Sequence, residues 1–202
     1  MKLLLTSGGL STPNIEKAFK ELLAKPPEEN QAIIMGVRNT VDQDLDAYIE
    51  RNVQMLVKQG IKEENILTYK LDSLNPPSLN ETDVLLVLGG NEYRYMKWIR
   101  KQGLFSEISK FIERDGVYVG RSAGSIIMGP TVDLDYWSAA SNDVGLEDLS
   151  GFGFVDFVTV SHVDSIDRAV KVREFHKETE HKMIYLTNQQ AVLVIDDMYR
   201  II

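Results

Sequence analysis

Val117-Tyr118-Val119-Gly120-Arg121-Ser122-Ala123-Gly124-Ser125-Ile126-Ile127-Met128 decides how this chain is read. Four residues of strand character run into Arg121-Ser122-Ala123-Gly124, and an apolar, helix-compatible piece follows at once. The pattern is a strand, one sharp turn and a helix, with a serine at the tip, and residues 120–124 fit G-x-S-x-G. A serine on so tight a turn is held in a strained conformation, so both neighbours must be small. Its hydroxyl projects from the carboxyl edge of a sheet, where the amide of Ala123 would meet an oxyanion. The same letters also describe an ordinary turn of small residues, so the reading depends on what the chain places around them.

Upstream, strand and helix patterns alternate. Lys2-Leu3-Leu4-Leu5-Thr6 reads as a short buried strand ending in Ser7-Gly8-Gly9. Ser11 or Thr12 caps a helix with Pro13 at its first position. Residues 32–37 are a continuous apolar run, the mark of a strand covered on both faces. A helix is expected from Asp42, with Leu45, Ile49, Val53, Leu56 and Val57 in one stripe and Gly60 as its stop. Residues 66–71 read as a weaker strand, and Asp83 to Leu88 as a very apolar one running into Gly89-Gly90-Asn91. Helical material over 92–102 and 105–114 leads back to Val117. This alternation predicts an α/β fold, a mostly parallel sheet with helices on both faces.

Downstream, residues 131–153 lose all periodicity around Tyr136-Trp137, an irregular insertion of the kind that often serves function. A strand is expected over Phe154–Val160, a helix over Asp167–Glu180, and a final pair of strands over 183–186 and 191–195. No repeat or linker interrupts the chain, so residues 1–202 read as one domain.

Composition excludes several functions. The 202 residues contain no cysteine, which removes disulfides, thiolate catalysis and cysteine-based zinc sites. A net charge of −8, with the basic residues scattered, argues against nucleic acid as a partner. No run approaches the 18 or so apolar residues of a membrane span, and three leucines after Met1-Lys2 are too few for a signal peptide. A cytoplasmic location, with no membrane partner, is the expectation.

A serine nucleophile needs a base. Of three histidines, His176 and His181 lie in or beside a charged helix pattern, whereas His162 stands where a strand ends. That edge of an α/β sheet is where sites assemble. The amides of Gly89-Gly90-Asn91, also after a strand and before a helix, would converge there as oxyanion donors.

Leu88-Gly89-Gly90-Asn91, then Gly120-Arg121-Ser122-Ala123-Gly124 with Pro130-Thr131 after it, then a strand ending at His162, resemble the S51 serine peptidases. These comprise the α-aspartyl dipeptidases (dipeptidase E) and the cyanophycinases. The opening residues 2–7 and closing residues 186–191 fall where family segments fall, so the resemblance covers nearly the whole chain. It implies a flavodoxin-like fold related to class I glutamine amidotransferases, with serine in place of their cysteine. It also implies Ser122 as nucleophile, His162 as base, Gly90 with Ala123 as oxyanion hole, a small peptide as substrate, and no metal or organic cofactor. Two departures stand out. The acidic third member of the aspartyl dipeptidases is matched by Asn188; Asp135 competes with it, and Asp164 ranks behind because neighbouring side chains on an extended stretch point apart. The family's carboxylate-reading arginine is matched by Arg168, only six residues after His162, so strict aspartate specificity does not carry over. The expectation is a serine peptidase cleaving small peptides through an acyl-enzyme, with an esterase or amidase, or a non-catalytic binding relative, as alternatives.

Overall fold

Alternate residues of the central strands face opposite ways, and this divides the apolar interior into two layers. The computed structural model describes residues 1–39, 43–134, 140–176 and 179–202. Its strands are β1 (Lys2–Thr6), β2 (Ala32–Gly36), β3 (Ile66–Lys70), β4 (Val84–Val87), β5 (Val117–Arg121), β6 (Phe157–Val160), β7 (Lys182–Tyr185), β8 (Ala191–Ile195) and β9 (Met198–Ile201). Its α-helices are α1 (Pro13–Leu22), α2 (Leu45–Lys58), α3 (Glu92–Lys101), α4 (Leu104–Glu113), α5 (Ala123–Ile126) and α6 (Ile166–His176). Leu3, Leu5, Ile33, Met35, Leu85, Val87 and Tyr118 pack under α3, α4, α5 and the β6–β7 pair. Leu4, Ile34, Val84, Leu86, Val117 and Val119 pack under α1 and α2. Strands buried on both faces explain the unbroken apolar runs.

Seven strands form one sheet in the order β3-β2-β4-β5-β1-β8-β9. The five from β3 to β1 run parallel, while β8 is antiparallel to β1 and to β9. The expected mostly parallel sheet with helices on both faces is therefore present. Because β4, β5 and β1 are parallel neighbours, Leu88–Asn91, Ser122 and Ser7–Gly9 all leave the sheet at one edge.

Four local expectations change. The second helix begins at Leu45, where Asp44 caps it by accepting from the Ala47 amide at 3.0 Å; Asp42 lies outside the described residues. The strand expected from Phe154 starts only at Phe157. The earlier amides are used elsewhere: Phe152 donates to Ile127 O at 2.7 Å and Phe154 to Met128 O at 3.0 Å, satisfying carbonyls beyond α5. The strands at 182–185 and 191–195 do not pair together, since β7 pairs parallel with β6 and β8 joins β1. A further strand, β9, hairpins back from β8 through Asp196-Asp197, with Asp196 at φ 52°.

The irregular segment after α5 is tied to α3. Arg94 pairs with Asp143, Lys97 Nζ donates to Val144 O at 2.5 Å, and Arg100 Nη2 donates to Ser150 O at 2.7 Å. Tyr136 and Trp137 lie outside the described residues.

Candidate active site

Ser122 stands alone between the end of β5 at Arg121 and the start of α5 at Ala123, with φ 49° and ψ −109°. Non-glycine residues avoid that region, at a cost of about 1–3 kcal/mol. The surroundings hold it there. Its amide donates to Thr6 O at 2.9 Å, and its carbonyl accepts from Ser125 N at 2.8 Å and Ile126 N at 3.0 Å. The need for small neighbours is literal: a Cβ on Gly120 would lie 2.6 Å from Gly124 O, and one on Gly124 2.2 Å from Val87 O.

His162 follows β6 and also has a positive φ, 63°. Ser7, fully buried at the end of β1, accepts the His162 amide at 2.8 Å through its hydroxyl. The imidazole then bridges two groups. Nε2 is 3.0 Å from Ser122 Oγ, and Nδ1 is 2.6 Å from Asn188 Oδ1. Thus residues forty apart in the chain meet at the sheet edge.

The chemistry of the neighbours decides which atoms donate. A carboxylate only accepts, and Asp164 receives both the Asn188 backbone amide, at 2.8 Å, and the Asn188 Nδ2 group. Asn188 therefore turns Oδ1 toward His162, which must donate from Nδ1 and leaves Nε2 as the acceptor for the Ser122 hydroxyl. That is the tautomer a general base requires. The turn carrying Asn188 is pinned at both ends: Ser11 Oγ donates to Asn188 O at 2.7 Å, and Gln190 Oε1 accepts from Thr187 N at 3.0 Å. Asp164 thus reaches Asn188, not the imidazole. Asp135, the competing third member, lies outside the described residues.

The Leu88–Asn91 loop approaches closely, since a Cβ on Gly89 would sit 3.5 Å from Ser122 Cβ. Asn91 caps α3, with Oδ1 accepting from Arg94 N at 2.9 Å, while its Nδ2 holds Ser141 O at 2.9 Å. Neither the Gly90 nor the Ala123 amide donates to an acceptor among the described residues. A cavity of about 400 Å³ opens over Ser122. Its lining includes Glu92, Leu134, Val160 and Arg168, together with Tyr48 and Arg121, which meet at α2. Arg168 is half-buried, with Nη2 3.4 Å from Ser161 O, and Glu92 is 1% exposed.

Sequence reasoning missed Ser7, Tyr48 and Glu92. Ser7 could have been found by the edge rule that singled out His162, because it ends the strand beside β5. Glu92 stands in the first turn of α3, directly after the glycine loop. Tyr48 carried no local signal, being one more residue of an amphipathic helix.

The model of peptidase family S51 matches residues 3–202. The chain belongs to peptidase family S51. It is 25% identical over 172 residues to an uncharacterized peptidase of Pasteurella multocida, covering 82% of each chain. It is 27% identical over 159 residues to an uncharacterized peptidase of Listeria innocua, covering 74% of each. Against Peptidase E of Salmonella gallinarum, identity is 28% over 116 residues, 57% of this chain and 46% of that protein. In fold, it resembles a Listeria monocytogenes protein provisionally assigned to peptidase E, with a TM-score of 0.77 at 18% identity over 100% of this chain and 97% of that one. That likeness supports the expected α/β architecture with its mostly parallel sheet.

Proposed function

We propose that the chain is a serine peptidase that hydrolyses small peptides through an acyl-enzyme on Ser122. The observation carrying this reading is the connected Ser122–His162–Asn188 array, with 3.0 Å and 2.6 Å between its heavy atoms. Family S51 membership supports it. Ser122, on a strained strand-to-helix turn, acts as a nucleophile elbow.

In this mechanism Ser122 Oγ attacks the scissile carbonyl while His162 Nε2 takes its proton. The Gly90 and Ala123 amides receive the oxyanion, each worth about 2.7–4 kcal/mol of the barrier if aligned with the developing charge. The imidazolium gives its proton to the leaving amine as the C–N bond breaks. Water, deprotonated by His162, then releases the acid and restores Ser122. Asn188 orients the ring but brings no charge to the imidazolium. Asp164 positions Asn188 and supplies a negative charge one residue removed.

The cavity volume sits at the small-ligand end of binding sites. Arg168 on its wall suits a carboxylate on the residue that becomes the acyl group. The test is a dipeptide library assayed with wild type and Ser122→Ala. Turnover of at least one unblocked dipeptide, lost in the variant with the fold retained by circular dichroism, supports the reading; full activity in Ser122→Ala refutes it. Cleavage of simple esters with no dipeptide turned over would favour the esterase alternative.

A further inference from the structure

Besides Arg168, the cavity wall holds a second arginine whose position is explained by neither the fold nor the serine chemistry. Arg121 ends β5 and directly precedes Ser122. Its guanidinium lies over the Tyr48 ring, 5.3 Å from the centroid, and Nη1 donates to Asn52 Oδ1 at 3.2 Å. Asn52 is 1% exposed and spends its own Nδ2 on Tyr48 O at 2.7 Å, so its oxygen is committed to Arg121. The guanidinium is thus oriented by an aromatic face and a neutral amide.

Among the described residues it has no counter-charge. Arg94 and Arg100 of α3 each pair with an aspartate. Among the described residues no carboxylate pairs with Arg121, and its Nε and Nη2 donate to nothing. A half-buried cation on the cavity wall, with only Nη1 engaged among the described residues, has the planar fork that takes a carboxylate in two parallel hydrogen bonds. Its fixed orientation lowers the ordering cost of such binding.

We propose that Arg121, braced by Tyr48 and Asn52, receives the free C-terminal carboxylate of the residue that leaves, so that the site is built for dipeptides. This rests on Ser122 being the acyl acceptor. Arg168 contacts Ser161, next to Val160, whose side chain belongs to the layer under α3; Arg121 contacts Tyr48 and Asn52 of α2, the helix that covers the other layer. Ser122 stands at the rim between them. With the acyl residue directed to Arg168, the leaving residue falls to Arg121. The carboxylate of a departing amino acid is two bonds from the nitrogen that His162 protonates, whereas an additional peptide unit would carry it past the guanidinium.

The test compares an unblocked dipeptide that the enzyme cleaves with its C-terminal carboxamide, in wild type, Arg121→Met and Asn52→Asp. Wild type should prefer the acid by at least about tenfold in kcat/KM, chiefly through KM. Arg121→Met should bring that ratio close to one. Asn52→Asp supplies Arg121 with a carboxylate from within the chain and should raise KM for the acid in the same direction. Thermal melts exclude misfolding, and if one variant fails to fold the other decides. A ratio unchanged in a folded variant, or a wild type indifferent to the carboxamide, overturns the carboxylate assignment while the serine mechanism stands. If wild type cleaves neither compound and Ser122 resists fluorophosphonate, the underlying peptidase reading falls and this proposal with it.

Discussion

Removing the Asp164 carboxylate tests how a triad whose third member is neutral is kept in working order. Asn188 can present either Oδ1 or Nδ2 to His162, and the amide is nearly symmetric in shape. Only the first orientation leaves Nε2 free to accept the Ser122 proton. Asp164 selects it by taking the Nδ2 group, and a hydrogen bond to a charged group contributes about 1.5–3 kcal/mol. Exposure of Asp164 and Asn188 argues for the lower end, about 1.5 kcal/mol, which is roughly a tenfold preference. In Asp164→Asn the two orientations become comparable, so about half the molecules carry the wrong tautomer, and the distant negative charge is lost. Together these predict a decrease of about three- to tenfold in kcat. Asn188→Ala removes the orienting bond itself and should cost about ten- to a hundredfold. The decisive variant combines Asp164→Asn with Asn188→Ala. Because the orienting part of the Asp164 effect acts through Asn188, only the loss from the distant charge should remain once Asn188 is gone. Steady-state kinetics on one dipeptide, with all four proteins, measures the coupling. Losses that multiply as independent factors would refute the relay.

Other outcomes follow from single contacts. Ser7→Ala removes the hydroxyl that holds the strained His162 backbone; it should cost about 1 kcal/mol of stability and lower kcat without changing KM, as read from melts and kinetics. Gly124→Ala forces a Cβ to within 2.2 Å of Val87 O, which should cost about 3 kcal/mol or more and lower Tm by about 6–12 °C. The Arg94 hydrogen bond holds the Asp143 carboxyl below the usual carboxylate range. Its contribution is therefore present above the unfolded carboxylate pKa and fades as pH falls through the lower folded value. Limited proteolysis of the 140–150 segment should accelerate over that acid window in wild type, and Asp143→Asn should be cleaved faster already at neutral pH.

The parts of this site legible in the sequence are those whose signals are local. Gly120–Gly124, Leu88–Asn91 and His162 each lie at a strand end, and β-strand to turn to helix is written in consecutive residues. The Asn188–Asp164 contact joins two turns 24 residues apart, set side by side by pairings that no periodicity encodes. Arg121 was visible only as the variable letter of a motif; its meaning comes from Tyr48 and Asn52 on α2. Phe154 reads as strand because its neighbours alternate, yet its amide goes to Met128 O near the end of α5. By contrast, β9 could have been read: Val192–Ile195, then two aspartates, then Met198–Ile201 is a hairpin pattern with a two-residue turn.

The most direct measurement of the central claim is fluorophosphonate labelling followed by peptide mass spectrometry. A single adduct on the peptide containing Ser122, absent in Ser122→Ala and formed at least about a hundredfold more slowly in His162→Ala, is the predicted result. An adduct on a different residue, or a rate indifferent to His162, would contradict the account.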